Sequence, residues 1–179
     1  MLKINDWRYV ISYDKNARFV LGINGYNPLI CFGINPSTAT PVKTDPTINR
    51  VQNFAENNGF DGYIMLNLYP QRATEPKNID TQRNVALHQE NVWQIIRILE
   101  KGPRTILAGW GSLIEERPFF IDCLYEIVLK ISDCHYWVSL GLSKDGHPRH
   151  PLYIKATEEF REFDIKSYIY KYSRNNGKK

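Results

Sequence analysis

Residues 29–41, LICFGINPSTATP, join an apolar run to a polar loop rich in turn-forming residues. A continuous apolar run of this kind is typical of a strand that is buried on both faces of a parallel sheet. After the loop, Asp45 and Pro46 predict the N-cap and the first position of a helix, which Gly59 ends. The stretch therefore predicts a strand, a loop at its carboxyl end and a following helix.

The same order of apolar run and polar exit recurs along the chain. The later runs are GYIMLNLYP at 62–70, RTILAGWG at 104–111 and HYWVSL at 135–140. Two earlier runs of aromatic and β-branched residues, at 7–14 and 18–23, flank a short polar segment. We expect these two runs to form a hairpin at the start of the domain and the later runs to form core strands.

Helical periodicity fills the segments between the predicted core strands. One helix carries Val92, Ile95, Ile96 and Leu99 on one side, and Asp164 is the predicted cap of a last helix. Ser112 and Glu115 have the spacing of a capping box and predict a further helix near Pro118. Strands that alternate with helices predict an α/β fold with three layers, α/β/α, around a mainly parallel central sheet.

The composition indicates one soluble domain. Of the 179 residues, 42% are hydrophobic and 23% are charged, and no apolar run approaches the roughly 20 residues that a membrane helix needs. We therefore expect a single domain over residues 1–179, with a flexible polar tail over residues 174–179. Residues 1–12 lack the apolar core of a secretory signal, so we expect a cytoplasmic protein with no membrane partner.

The reactive residue types argue against a metal or a cofactor. Three widely spaced cysteines cannot supply a four-thiolate zinc or iron–sulfur site. The four histidines form no H-E-x-x-H pair, and the chain has no G-x-x-x-x-G-K-[ST] phosphate loop. We therefore expect neither a metal nor a cofactor. The net charge of +4 is compatible with a polyanionic partner without requiring one.

Three polar residues in the predicted loops are candidates for chemistry, because ligands of such sheets bind at the carboxyl ends of strands. Asn35 and Asn67 each end an apolar run, and either amide can bind a substrate or simply cap its own turn. His150 lies with His147 in the polar segment GLSKDGHPRHP, where it either contacts a ligand or has a structural role.

In their order along the chain, these loops resemble the motifs of the uracil-DNA glycosylase superfamily. GINPS at 33–37 resembles the first motif of its mismatch-specific branch, NLYPQRATEP at 67–76 resembles a stretch of its thermostable branch, and HPLY at 150–153 is similar to the closing motif. The set GINPSTAT, DPT, NLYPQRAT, GWG and GHPRHPLY resembles more closely an uncharacterised bacterial and phage family, over almost the whole chain.

The superfamily resemblance implies a glycosylase-like fold and a role for each matching residue. Asn35 would position the attacking water, Asn67 would hydrogen-bond the edge of a flipped base, and His150 would stabilise negative charge on the departing base. The residues implied to line the base pocket are Gly33, Ile34, Pro36, Ser37 and Trp110. Those expected to contact DNA are Arg72, Lys144 and Arg149, with Leu152 as a wedge in the base stack.

Two departures from the motifs leave the target base open. Asn35 replaces the aspartate of the fastest branch, and an amide cannot act as a general base. Ser37 stands where the mismatch branch has glycine. We expect a DNA glycosylase-like hydrolase, with DNA as the partner, that removes a damaged or modified base. The alternatives are an enzyme of free nucleosides or nucleotides, and a non-catalytic binder of nucleic acid or protein.

Overall fold

The computed structural model describes residues 7–175, which form a seven-stranded sheet and four α-helices. The strands are β1 (Trp7–Ile11), β2 (Arg18–Ile23), β3 (Leu29–Gly33), β4 (Tyr63–Asn67), β5 (Thr105–Ala108), β6 (Tyr136–Ser139) and β7 (Arg161–Glu162). The helices are α1 (Pro46–Asn57), α2 (Val85–Leu99), α3 (Phe119–Lys130) and α4 (Ile165–Asn175). The predicted α/β class and the initial hairpin are confirmed.

The sheet is mixed, with the strand order β1-β2-β4-β3-β5-β6-β7. Its four central strands pair in parallel, whereas β1 with β2, β2 with β4 and β6 with β7 pair antiparallel. The prediction of a mainly parallel sheet is therefore correct only for the centre. The physical reason is that each parallel step needs a crossover, and the helical crossovers α1, α2 and α3 supply three such steps.

Helices cover both faces of this sheet. The buried side chains of α1 pack with one set of strand residues, including Leu29, Cys31 and Met65. Helices α2, α3 and α4 pack with the alternating set, including Ile30 and Phe32. Helix α1 connects β3 to β4, which lies on one side of β3, and helix α2 connects β4 to β5, which lies on the other side. Two right-handed crossovers that run in opposite directions along the sheet place their helices on opposite faces. The order in which strands are added to the sheet therefore reverses beside β3.

The helix ends show which local signals decide the structure. Asp45 caps α1, since its Oδ1 accepts a hydrogen bond of 2.8 Å from the Ile48 amide, as the sequence predicts. The capping box at Ser112 is wrong: residues Ser112–Glu116 form a short 3-10 helix with no side-chain cap, and α3 begins only at Phe119. Pro118 lacks the amide hydrogen that a continuous helix would need, so the helix starts again after it.

The carboxyl-terminal helix is longer than the sequence suggests. Asp164 Oδ1 accepts a 2.9 Å hydrogen bond from the Ser167 amide, which confirms the predicted cap of α4. The helix reaches Asn175, so the predicted tail is helical at its start, while residues 176–179 lie outside the described residues. Within residues 7–175, no helix has both the length and the apolar character needed to cross a bilayer.

Close pairing of β2 with β4 depends on Gly22. A Cβ atom added there would lie 2.7 Å from Ile64 Cα and closer still to the Tyr63 carbonyl oxygen. We predict that Gly22→Ala lowers the free energy of unfolding by about 3 kcal/mol, because the backbone of β4 has to move. Chemical denaturation monitored by circular dichroism measures this loss. Val42→Ala, on an exposed loop, is the control and should change stability by less than about 0.5 kcal/mol.

Candidate functional site at the carboxyl ends of the central strands

The loops that follow the four parallel strands lie at one edge of the sheet. Gly33, the last residue of β3, is paired with Asn67, the last residue of β4. Ala108 at the end of β5 is paired with Phe32 on one side and with Ser139 on the other. This confirms the predicted clustering of the strand-end loops. The order of the strands reverses beside β3, and ligands of such sheets usually bind at the point of reversal.

Asn67 is the most unusual polar residue at this edge. Its side chain is 1% exposed, and neither Nδ2 nor Oδ1 has a hydrogen-bond partner among the described residues. Its neighbour Gly33 leaves space for the amide, since a Cβ at Gly33 would lie 3.1 Å from Asn67 Oδ1. A turn-capping amide would be bonded to its own loop, and the Asn67 amide has no such bond among the described residues.

Asn35 joins the first loop to the loop after β4. Its Nδ2 donates a 2.8 Å hydrogen bond to the Ala73 carbonyl, and the Ala73 amide donates a 3.0 Å bond to the Pro36 carbonyl. The amide nitrogen of Asn35 therefore links the two loops. A water at Asn35 would be held through the acceptor Oδ1, which can orient a water molecule but cannot remove its proton.

His150 caps a short 3-10 helix, Pro151–Tyr153, that lies against the exit of β5. Its Nδ1 accepts a 3.3 Å hydrogen bond from the Leu152 amide, which leaves the hydrogen of the neutral ring on Nε2. Burial lowers the pKa of His150, and the negative charge of Asp45 opposes this effect only in part. At neutral pH the ring is therefore an uncharged Nε2–H donor rather than a cation.

Asp45 is a residue whose wider role the sequence did not predict. The pattern marks it only as the N-cap of α1, but its Oδ2 also accepts a hydrogen bond from the Ser37 hydroxyl. Its charge acts on His150, on Arg18 and on Tyr63. One carboxylate thus faces residues that are distant in the sequence, and no local signal in the D-P-T segment indicates this.

Arg18 is a second residue that the sequence did not single out, because it belongs to an apolar strand. It is 2% exposed, and its Nη1 donates a 2.9 Å hydrogen bond to the Ala39 carbonyl of the loop after β3. Burial, followed by the positive charge of Arg72, lowers the pKa of Arg18 to about 10. The guanidinium remains charged at neutral pH. A buried cation therefore lies against the loop after β3.

The other residues predicted to line the pocket or to enter the base stack differ in how far their side chains are exposed. Trp110 is fully buried, and its Nε1 donates a 3.1 Å hydrogen bond to Tyr168 Oη, so its indole offers no exposed face for stacking. Ile34 and Pro36 are buried beside Asn35. Leu152 is half-buried, whereas the ring of Tyr153 is 81% exposed and packs on His150 with 5.7 Å between ring centroids. Tyr153 is therefore the more accessible of the two side chains.

The three predicted DNA-binding cations are spread along the edge. Lys144 and Arg149 are exposed in the loop after β6, where Arg149 Nε donates a 3.1 Å hydrogen bond to the Leu142 carbonyl. Arg72 is half-buried beyond β4, and its Nη2 donates a 2.5 Å bond to Tyr9 Oη. Three strand spacings, about 14 Å, separate β4 from β6, so these cations do not form one compact patch.

An open groove adjoins His150. It has a volume of about 340 Å³ and is lined by Leu113, Arg149, His150 and Tyr153, among others.

His147 of the same loop is buried and bonded instead: Nδ1 lies 2.8 Å from Tyr168 Oη and Nε2 lies 3.1 Å from Glu115 Oε1. His147 therefore has a structural role. Over residues 7–175, no three His, Cys, Asp or Glu side chains come together as a metal site.

The chain belongs to the DUF1643 family, which is described as a family of proteins of unknown function. The family model matches residues 18–152, from the start of β2 to the 3-10 helix that His150 caps. This span contains Arg18, Asn35, Asn67 and His150. No curated protein and no solved structure matches the chain. The likeness to the uracil-DNA glycosylase superfamily therefore depends on the short motifs alone.

The lowered pKa of His150 predicts a pH-dependent stability. The unfolded residue binds a proton below about pH 6.5, whereas the folded residue resists protonation. The free energy of unfolding should therefore decrease as the pH falls from 7 to 5.5, with His88 and His135 contributing in the same direction. His150→Asn keeps a side-chain cap for the Leu152 amide and should show a shallower decrease in denaturant titrations. An unchanged slope would contradict the burial of a neutral His150.

Proposed function

We propose that this protein hydrolyses the N-glycosidic bond between a damaged or modified base and the sugar of DNA. The observation that carries the proposal is the buried amide of Asn67, whose donor and acceptor atoms both lack a partner among the described residues. An amide presents a donor and an acceptor side by side, and base edges offer the complementary pair. A base inserted at this edge would pair with both atoms.

Burial of Asn67 would make this recognition selective. A base edge that lacks the complementary donor or acceptor leaves a buried amide atom unpaired, and such a mismatch discriminates strongly against the wrong ligand. A side chain at Gly33 would crowd the Asn67 amide, since a Cβ atom there would lie 3.1 Å from Asn67 Oδ1 and 2.7 Å from Met65 Cε. Ser37 is held by Asp45, so its hydroxyl is turned toward that carboxylate rather than left free as a nucleophile.

The reaction that we propose needs charge stabilisation more than acid–base chemistry. The bond between C1′ and the base nitrogen breaks, the electron pair goes to the base, and the sugar becomes an oxocarbenium ion. His150, as a neutral Nε2–H donor, would hydrogen-bond the departing base while negative charge develops on it. Water adds to C1′, and its proton is transferred to the base or to solvent.

Asn35 would supply orientation of the water and no more. Its Oδ1 can accept a hydrogen bond from the attacking water, and its Nδ2 is already bonded to the Ala73 carbonyl. Positioning without a general base favours a slow enzyme that depends on proximity. The exposed ring of Tyr153 beside His150 offers an aromatic face on which a flipped or neighbouring base can stack.

A second candidate function, an enzyme of free nucleosides or nucleotides, is favoured by the charge distribution. The net charge is only +4, and the exposed cations Lys144 and Arg149 are separated from Arg72 by the width of three strand spacings. A protein that binds long DNA uses many phosphate contacts, whereas one nucleotide needs few. The proposed residues Asn35, Asn67 and His150 would act on the base and sugar in the same way.

The direct test is a panel of DNA duplexes that carry uracil, deaminated, alkylated or hypermodified bases, scored for alkali-labile abasic sites. We expect cleavage of at least one duplex, and we expect Asn35→Ala and His150→Asn each to lower the rate by about 100-fold. Asn67→Ala should lower both binding and rate. Asn53→Ala, on the exposed side of α1, is the matched control and should retain the rate of the unaltered protein.

The same experiment separates the alternatives. Release of base from free nucleosides or nucleotides, with no abasic sites in DNA, would support the second candidate. Folded Asn35→Ala and His150→Asn variants that cleave DNA at the full rate would contradict the assigned roles. DNA binding without cleavage of any duplex would indicate a non-catalytic binder and would contradict the proposed reaction.

A further inference from the structure

Arg18 and Arg72 lie close together although they are far apart in the sequence. Ala17 forms an antiparallel bridge with Gln71, the Arg18 amide donates a 3.0 Å bond to the Pro70 carbonyl, and the Arg72 amide donates a 2.8 Å bond to the Asn16 carbonyl. In such a ladder the residues on either side of the bridge share one face, so Arg18 and Arg72 are diagonal neighbours. Diagonal neighbours are about 7–8 Å apart, within reach of long side chains.

Some hydrogen-bond donors of Arg18 and Arg72 are unpaired among the described residues. The Nε atoms of both arginines are buried and have no partner among the described residues. One other donor of each side chain is bonded, Arg18 Nη1 to the Ala39 carbonyl and Arg72 Nη2 to Tyr9 Oη. A carbonyl and a hydroxyl are neutral acceptors. Among residues 7–175, neither guanidinium group therefore forms an ion pair with a carboxylate.

Two like charges in this position oppose each other. Arg72 acts on Arg18 as a repelling charge, and Asp45 is the carboxylate that acts on Arg18 in the opposite sense. Asp45 is itself bonded to the Ser37 hydroxyl and to the Ile48 amide. Its charge is therefore shared with the cap of α1 and with the first loop, and it leaves the arginine pair with a surplus of positive charge.

We infer that the Arg18–Arg72 pair is a phosphate-binding subsite beside the strand-end edge. Guanidinium groups present N–H donors in a planar fork that matches the oxygens of a phosphate, and a dianion or monoanion between them would satisfy the buried Nε–H groups. The subsite uses side chains other than Asn35, Asn67 and His150, and its test does not depend on which bond the protein cleaves. The phosphate comes either from a free nucleotide or from the backbone of a nucleic acid.

Inorganic phosphate tests the subsite alone. Phosphate at about 50 times its Kd should raise the Tm of the unaltered protein by about 5 °C relative to sodium chloride of the same ionic strength. Arg72→Gln should abolish most of this increase. Arg97→Gln, which removes an arginine on α2 that stacks over Trp93, is the matched control and should retain it. The control also subtracts the general stabilising effect of phosphate on proteins.

A second variant protects the test against a folding defect. Arg18 is buried, so Arg18→Lys, which keeps the charge and loses the Nε–H donor, is compared only if its circular dichroism matches that of the unaltered protein. If Arg18→Lys does not fold normally, Arg72→Lys is used in its place, because Arg72 is only half-buried. Arg72→Lys should lower phosphate affinity about tenfold. Equal phosphate-dependent Tm shifts in the unaltered protein, Arg72→Gln and Arg72→Lys would overturn the inference.

Calorimetric titrations then identify the source of the phosphate. A nucleoside 5′-monophosphate that binds at least tenfold more tightly than its nucleoside, with the difference lost in Arg72→Gln, would assign the subsite to free nucleotides. The same Arg72-dependent difference between an oligonucleotide with a phosphodiester and one with an uncharged methylphosphonate linkage would assign it to nucleic acid. Either result supports the subsite whether or not a base is released, and the absence of both overturns it.

Discussion

The parallel pairing of β3 with β4 places Gly33 directly opposite Asn67, and the rest of the candidate site depends on this pairing. Because Gly33 has no side chain, the amide of Asn67 fits beside it in the interior. A buried amide without partners destabilises the folded chain, so it has to be held by a well-packed frame. The central strands supply that frame, with helices on both faces. The strand-end edge thus combines a well-packed support with a buried polar group that has no partner among the described residues.

The polar groups at this edge divide into those that maintain the structure and those that remain available. Asn35 Nδ2, the Ser37 hydroxyl and the Nδ1 atom of His150 are bonded within the protein. The Asn67 amide and the Nε atoms of the arginine pair have no such partner among the described residues. The same region therefore contains both groups that are bonded within the protein and a specific set of unpaired donors and acceptors. This division is the physical basis for proposing base recognition beside phosphate binding.

Much of this arrangement follows from local sequence signals. The apolar runs predict the central strands, Asp45 and Pro46 predict the start of α1, and the strand-end rule predicts that Asn35, Asn67 and His150 lie at one edge. These features depend on hydrophobic runs, caps and topology, which are visible within short segments. The predicted roles of the three residues in catalysis stay predictions.

The features that sequence patterns did not reveal depend on contacts between distant segments. β7 has only two residues, too few for a periodic pattern, and it adds an antiparallel edge to a sheet that the β2–β4 pairing already makes mixed. Arg18 lies in a strand that is buried along its whole length, so no alternation marks its charge as unusual. Trp110 follows a strand like the candidate residues, but the core around Tyr168 buries its indole. Tertiary packing decides each of these outcomes.

The most direct test of the central claim is nuclear magnetic resonance of the Asn67 side-chain amide. Its signals are assigned by their loss in Asn67→Ala and followed while free nucleobases and nucleosides are added one at a time. If Asn67 recognises a base edge, one base should shift these signals strongly, because both amide atoms gain hydrogen bonds, while the side-chain signals of Asn53 stay in place. Asn67 signals that remain unmoved by every base up to its solubility limit, in a folded protein, would contradict the account.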